Sequence, residues 1–183
     1  MKQDDAIALI SAAVTDLGGT WADLGAGNGT FTRALAELLG RDGVVYAVDR
    51  DVAALRELAQ TNARDRGAAT VRTIVGDFTE PIELTTLDGA VLANALHYVP
   101  YREQVGVLQR IIGLLAEHAP LVIVEYDRRT ANRWVPFPIS IETFQALARE
   151  AGLSEPTVLA TRPSRYEGTI YSAVVRRPGA AAS

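Results

Sequence analysis

Apolar positions recur along this chain with two alternating periods, and the alternation predicts its architecture. Ile7, Ile10, Ala13 and Val14 share one face of a helix that Asp4 or Asp5 caps and that Gly18 and Gly19 end, at about residue 17. Residues 20–24 form a first short strand. Phe31, Leu35 and Leu38 repeat at helical spacing until the glycines at 40 and 43, and the unbroken apolar run 44–48 is a buried second strand. Asp51 caps a helix whose Ala54, Leu55 and Leu58 face inward and which ends near Gly67; residues 71–75 are the third strand. A loop covers 76–87.

Residues 90–93 read as a fourth strand, 101–118 as an amphipathic helix through Val105, Leu108, Ile111, Ile112 and Leu115, and 121–126 as a fifth strand. A loop at 127–139 precedes a helix that Ser140 caps and that runs to about Gly152. Two β-rich runs, 157–161 and 169–176, close the pattern around the turn-forming stretch PSRYEG. Strands separated by helices require a doubly wound, mostly parallel α/β sheet with helices on both faces. The last two strands, with no helix between them, are expected to pair antiparallel.

Composition narrows the class. With 183 residues, 48% of them hydrophobic, and no internal repeat, residues 1–177 are expected to form a single domain with a disordered tail at 178–183. The opening residues MKQDDAIALI carry acids where a secretion signal needs bases, and no apolar run approaches the ~18 residues of a membrane span. A soluble cytoplasmic protein with no membrane partner follows as the expectation. The absence of cysteine excludes disulfides, thiolate metal sites and a cysteine nucleophile, and no metal site is expected. A net charge of −4 argues against a nucleic-acid partner, although from Asp127 onward eight basic residues outnumber five acidic ones.

In a doubly wound sheet, ligands bind beyond the carboxyl ends of the strands, where the strand order reverses. The residues at those ends are polar throughout: Asp23 with Gly25, Gly27 and Gly29, then Asp49, Asp77, Asn94 with His97, and Glu125 with Asp127. Glycines at alternate positions let the backbone turn sharply and approach a ligand, with amides near the start of the next helix.

On DLGAGNG, YAVD, GDF and DGAVLANALHYV, spaced in that order, the chain resembles the class I S-adenosylmethionine-dependent methyltransferases from about Gly19 to Arg176. The resemblance implies a Rossmann-like methyltransferase fold, a seven-stranded sheet with a C-terminal antiparallel strand, and S-adenosylmethionine as cofactor. Asp49 lies 20 residues beyond Gly29, where an acid can accept from both ribose hydroxyls; with Asp51 taking the cap, Asp49 is expected to be free for that role. The resemblance places Asp77 at the adenine amino group, Phe78 against the ring and Arg50 beside it. It adds Ala26 and Asn94 to the cofactor site and has Asp23 orient the glycine loop or meet the ligand's amino group.

Methyl transfer is an in-line displacement, so a base is needed only where the acceptor must lose a proton. His97 is the histidine placed for that work, and the residues leave open whether it moves protons or only shapes the pocket. His118 falls at the opposite end of the sheet, at a helix terminus. Tyr98, Tyr101, Tyr126 and Tyr166 are candidate pocket walls. Arg128, Arg129 and Arg133 in the loop 127–139 read either as solvated surface charges or as attractors of an anionic acceptor, with Trp134 and Phe137 to cover its apolar part. NALH stands where amino-group methyltransferases acting on bases or glutamine carry an NPPY-type signature, so a small-molecule acceptor is expected. Two rival readings stay open: a non-catalytic S-adenosylmethionine-binding protein and an NAD-dependent oxidoreductase. Against the latter stands Thr30, three positions after Gly27, where a dinucleotide loop has its third glycine. Monomer and homodimer are both compatible with the sequence.

Overall fold

The computed structural model describes residues 1–62, 67–164 and 168–178. Its elements alternate as α1 (Gln3–Ile10), β1 (Gly19–Leu24), α2 (Thr30–Leu39), β2 (Gly43–Asp49), α3 (Val52–Asn62), β3 (Thr70–Val75), β4 (Gly89–Ala93), α4 (Tyr101–Gly113), β5 (Leu121–Asp127), α5 (Ile141–Glu150), β6 (Thr157–Pro163) and β7 (Thr169–Val175). The strands form one sheet in the order β3-β2-β1-β4-β5-β7-β6. All pairs are parallel except those made by β7, which runs against both β5 and β6. This is the expected doubly wound, seven-stranded α/β architecture, with its reversal point between β1 and β4.

Successive residues of a strand face opposite sides of the sheet, and the central strands supply apolar residues to both. Trp21, Val91, Val122 and Val124 pack under α1 and α2, whereas Ala22, Leu24, Ala90, Leu92 and Ile123 pack under α4 and α5. Fully buried leucines such as Leu24, Leu35 and Leu92 each contribute on the order of 2 kcal/mol by leaving water. Edge strand β3 has no fully buried residue, only exposed and half-buried positions. Edge strand β6 is interrupted by a register shift at Val158 and Ala160 and ends on Pro163, features that limit pairing with another chain.

Two helices are shorter than their apolar periodicity predicts. α1 stops at Ile10 and passes into a 3-10 turn at Ser11–Ala13; its N-cap is Lys2, whose amide donates to Asp5 Oδ2 at 3.1 Å, so Asp4 is not the cap. α4 ends at Gly113, and Leu115 instead makes an isolated parallel bridge with Leu87. In both cases burial continues past the helix end, at Ala13, Val14 and Leu115, so the hydrophobic signal outlasts the helical backbone. A 3-10 turn at Leu96–Tyr98 was not foreseen. The end of α3 near Gly67, Tyr166 and residues 179–183 of the tail fall wholly or partly outside the described residues. Among the described residues, no helix is long and apolar enough to cross a membrane.

Candidate active site

Two adjoining cavities open along the carboxyl edge of the sheet, and Asn94 lines both. The first, of about 470 Å³, lies between the loop after β1 and the turns after β2, β3 and β4. Gly27 faces it with φ +51, and a side chain there would meet no protein atom within 4 Å, so the backbone presents its bare face to the cavity. Gly25 is held glycine by packing instead: at φ +77 an added Cβ would fall 2.8 Å from that of Ala95. Gly29, also at positive φ, is the N-cap of α2 and does not line the cavity. Ala26 is likewise turned away, buried against α3 with Leu55 and Leu58.

The loop amides are mostly spent within the protein. Gly25 and Ala26 donate to Val48 O at 2.9 and 3.0 Å, Gly29 donates to Ala26 O, and Gly27 donates to Asp49 Oδ2 at 2.7 Å. The sequence leaves Asp49 free, but in the structure its carboxylate is held by the loop. Its Oδ1 also accepts from the Asp51 amide at 2.8 Å, while Asp51 caps α3 by accepting from Ala53 and Ala54. A carboxylate oxygen has more than one acceptor direction, so the held carboxylate can still receive donors from the cavity that it lines. The bonds fix its orientation.

Across the cavity, Asp77 takes bonds from Thr79 N at 2.9 Å and Thr79 Oγ1 at 2.7 Å, closing the turn after β3. Burial acts to raise its carboxyl, but those two bonds and the Arg50 guanidinium, 3.9 Å away, together hold it below the usual carboxylate value. Phe78 lines the cavity beside it, and Asn94 Oδ1 is buried with no partner among the described residues. Asn94 also holds φ 51, a conformation in which asparagine is tolerated better than most side chains. The charged groups of this cavity are Asp49, Asp77 and Glu103 against Arg50 alone, an acidic balance.

Asp23 is not at the cavity surface. It is 1% exposed within β1, and its Oδ2 accepts from Thr32 Oγ1 at 2.6 Å, tying the strand to the first turn of α2. Burial pushes its carboxyl from the ordinary 3.8 up to about 6, against the opposing Thr32 bonds. The folded protein thus keeps this proton in a range where the unfolded chain has released it. Stability falls as pH rises through that window, by about 3 kcal/mol in full. Urea unfolding should show Asp23→Asn gaining stability relative to wild type between pH 4 and pH 7; a constant difference across that range would contradict the assignment.

The second cavity, of about 580 Å³, is centred on His97. The 3-10 turn after β4 brings the 2%-exposed imidazole over β5, where the fully buried Glu125 receives it twice: Oε2 lies 2.6 Å from His97 Nδ1, and Oε1 accepts from the His97 amide at 3.2 Å. A neutral ring that donates Nδ1–H to this carboxylate carries its lone pair on Nε2. Gln104, buried on α4, holds the same turn by donating to Val99 O at 3.0 Å. Tyr98 and Tyr126 flank the imidazole at ring distances of 4.4 and 6.0 Å.

The segment after β5 forms the outer wall and is pinned at several points. Ile141 N donates to Asp127, Arg129 pairs with Glu142, and Phe137 N donates to His97 O at 3.0 Å. Arg128 and Trp134 line the cavity, whereas Arg133 stacks over the Trp134 ring outside it. Tyr101 packs on Phe137 and is not among the cavity walls. His118 lies beyond the end of α4, in the turn before β5, beside a depression at the other edge of the sheet.

Glu125 is the main residue whose role the sequence did not disclose. It belonged to the row of polar strand ends, but its partnership with His97 depends on the β4–β5 register that pairs Ala93 with Val124. Gln104 gave no signal, because a polar residue on an amphipathic helix reads as solvated.

A seven-stranded sheet with an antiparallel β7 and a glycine loop facing an acid at the end of β2 defines a class I, S-adenosylmethionine-type methyltransferase fold. The chain belongs to the methyltransferase-domain family, whose model matches residues 22–118. Among solved structures it is similar to an arsenic(III) S-adenosylmethionine methyltransferase from Chlamydomonas reinhardtii, with 23% identity and TM-score 0.71 over 89% of this chain; the chain spans 65% of that protein. It is also similar to the N-methyltransferase NodS from Bradyrhizobium japonicum WM9 in complex with S-adenosylhomocysteine, with 17% identity, TM-score 0.75 and coverage of 97% and 86% of the two chains. A third is the magnesium protoporphyrin IX methyltransferase ChlM from Synechocystis PCC 6803 with bound S-adenosylhomocysteine, with 15% identity, TM-score 0.74 and coverage of 96% and 82%. No curated protein matches the sequence significantly.

Proposed function

We propose that this protein is an S-adenosylmethionine-dependent methyltransferase acting on a small-molecule acceptor, with residues 1–177 working as one catalytic domain. The observation that carries the reading is the acidic, amide-poor first cavity opening onto a second one that holds a histidine base. An acidic lining suits a ligand with a sulfonium and an ammonium group, and it opposes a pyrophosphate, which needs unspent amides and positive charge. The oxidoreductase reading is disfavoured on that ground. The residues present fit the cofactor: Gly27 offers an open backbone face, Asp49 a fixed carboxylate for the ribose hydroxyls, Asp77 and Phe78 the adenine side, and Asn94 an unpaired buried oxygen.

When bound, S-adenosylmethionine supplies an electrophilic methyl group, its carbon–sulfur bond breaking as the acceptor's electron pair forms the new bond and S-adenosylhomocysteine is left. The chain's own contribution is alignment, exclusion of water and proton removal. His97 Nε2 takes the acceptor proton. Glu125 holds the imidazole in the tautomer that permits this and stabilises the imidazolium that results. The pinned 127–139 segment shields the site.

A thermal-shift comparison tests the reading. S-adenosylhomocysteine at ~100 times its Kd should raise Tm by roughly 5–10 °C, and NAD should leave it unchanged. Stabilisation by NAD alone would favour the oxidoreductase.

A further inference from the structure

The second cavity is polarised, and its polarity describes its occupant. Of the three arginines that follow β5, Arg129 is paired with Glu142 and Arg133 is stacked on Trp134. Arg128 differs. Its Nε donates to Thr130 O at 2.8 Å, which fixes the guanidinium, while its two terminal nitrogens have no bond or ion pair among the described residues. It is the cation lining the cavity.

Asn132 supplies a second donor to the same wall. Its Oδ1 accepts from the amides of Trp134 and Val135 at 2.8 and 2.7 Å, an arrangement that assigns the oxygen and leaves the NH2 group available. The cavity is thus lined both by these donors and by His97, whose Nε2 is a lone-pair acceptor when Nδ1 donates to Glu125. Tyr98, Tyr126 and Trp134 line the same cavity. A volume of about 580 Å³ falls within the range of roughly 300–1,000 Å³ typical of cavities that enclose small molecules.

Resting on the methyltransferase reading, we infer that the acceptor is an aromatic hydroxy acid: its anionic group is held by Arg128 and Asn132, its ring lies among Tyr98, Tyr126 and Trp134, and its hydroxyl meets His97 Nε2. An apolar acceptor would leave the Arg128 and Asn132 donors of this cavity without a partner on it, and a cationic one would meet the guanidinium. A neutral aliphatic acceptor would gain little from three aromatic walls.

The inference is tested by calorimetry with a set of hydroxynaphthoate positional isomers, each beside its methyl ester and its parent naphthoate, on protein saturated with S-adenosylhomocysteine. At least one isomer should bind ten-fold or more tightly than its ester, the size expected for a charge-assisted contact, and more tightly than the parent lacking the hydroxyl. Its absorption should move toward the naphtholate band on binding, and His97→Gln should abolish that change. Arg128→Gln should bring the acid-to-ester ratio close to one with S-adenosylhomocysteine affinity unchanged, while Arg128→Lys keeps part of the preference. Equal binding of acids and esters, no binding by any isomer, or an acid preference that survives Arg128→Gln would overturn the inference. Failure of S-adenosylhomocysteine itself to bind would overturn the methyltransferase reading, and the inference with it, so the two failures are told apart.

Discussion

Asp49→Ala is expected to weaken S-adenosylhomocysteine binding by about 100-fold or more, because in the proposed site Asp49 accepts two charge-assisted hydrogen bonds from ligand hydroxyls. The same substitution frees the Gly27 and Asp51 amides, which Asp49 holds at 2.7 and 2.8 Å, so the loop also loses its fixed position. A control separates ligand contact from local capping. Asp51→Ala removes the α3 cap and should cost about 1 kcal/mol of stability, yet leave cofactor affinity within about two-fold. Calorimetry and urea unfolding on both variants read these effects. Equal losses of affinity in the two would mean that Asp49 acts through the local capping at the start of α3 and not by ligand contact.

Glu125→Gln is expected to abolish most turnover while sparing the fold and the cofactor site. The glutamine oxygen can still accept from the His97 amide, but its NH2 group now faces Nδ1, which must give up its proton to be satisfied. The proton moves to Nε2, and the imidazole presents a donor to the acceptor instead of a lone pair. Loss of a positioned base lowers kcat by on the order of 10²–10⁴-fold for an acceptor that must be deprotonated. Nitrogen-15 NMR of the histidine ring reads the tautomer directly: Nε2 should be bare in wild type and protonated in the variant. Glu125→Ala differs, since it leaves two buried donors unpaired and should cost about 1–3 kcal/mol for each. An unchanged tautomer, or full activity in Glu125→Gln, would show that His97 only shapes the pocket.

The central strands were legible because strands of a parallel sheet are apolar on both faces and stand out as unbroken runs; residues 44–48 and 121–126 fall within β2 and β5. Helix ends were less legible. At Ala13 and Leu115 the side chains stay buried after the helical hydrogen bonds stop, so periodicity could not mark the stop. Asp49, Asp77 and Asn94 lie along the carboxyl edge of the sheet, as the strand ends imply, and Phe78, which the resemblance named, lines the same cavity. Their bonding was not visible. Asp49 was expected free and is held by two amides; the loop amides were expected to face the ligand and most turn inward. The His97–Glu125 pair joins residues 28 positions apart and needs the β4–β5 register, which no local pattern supplies.

The central claim is that the acidic cavity between Gly27 and Asp77 receives the S-adenosyl cofactor. Titrating S-adenosylhomocysteine into the wild-type protein in a calorimeter tests it most directly. One site per chain with a Kd between low micromolar and submillimolar, undiminished by NAD, is the predicted result. A folded protein that gives no binding heat with either S-adenosylhomocysteine or S-adenosylmethionine would contradict it.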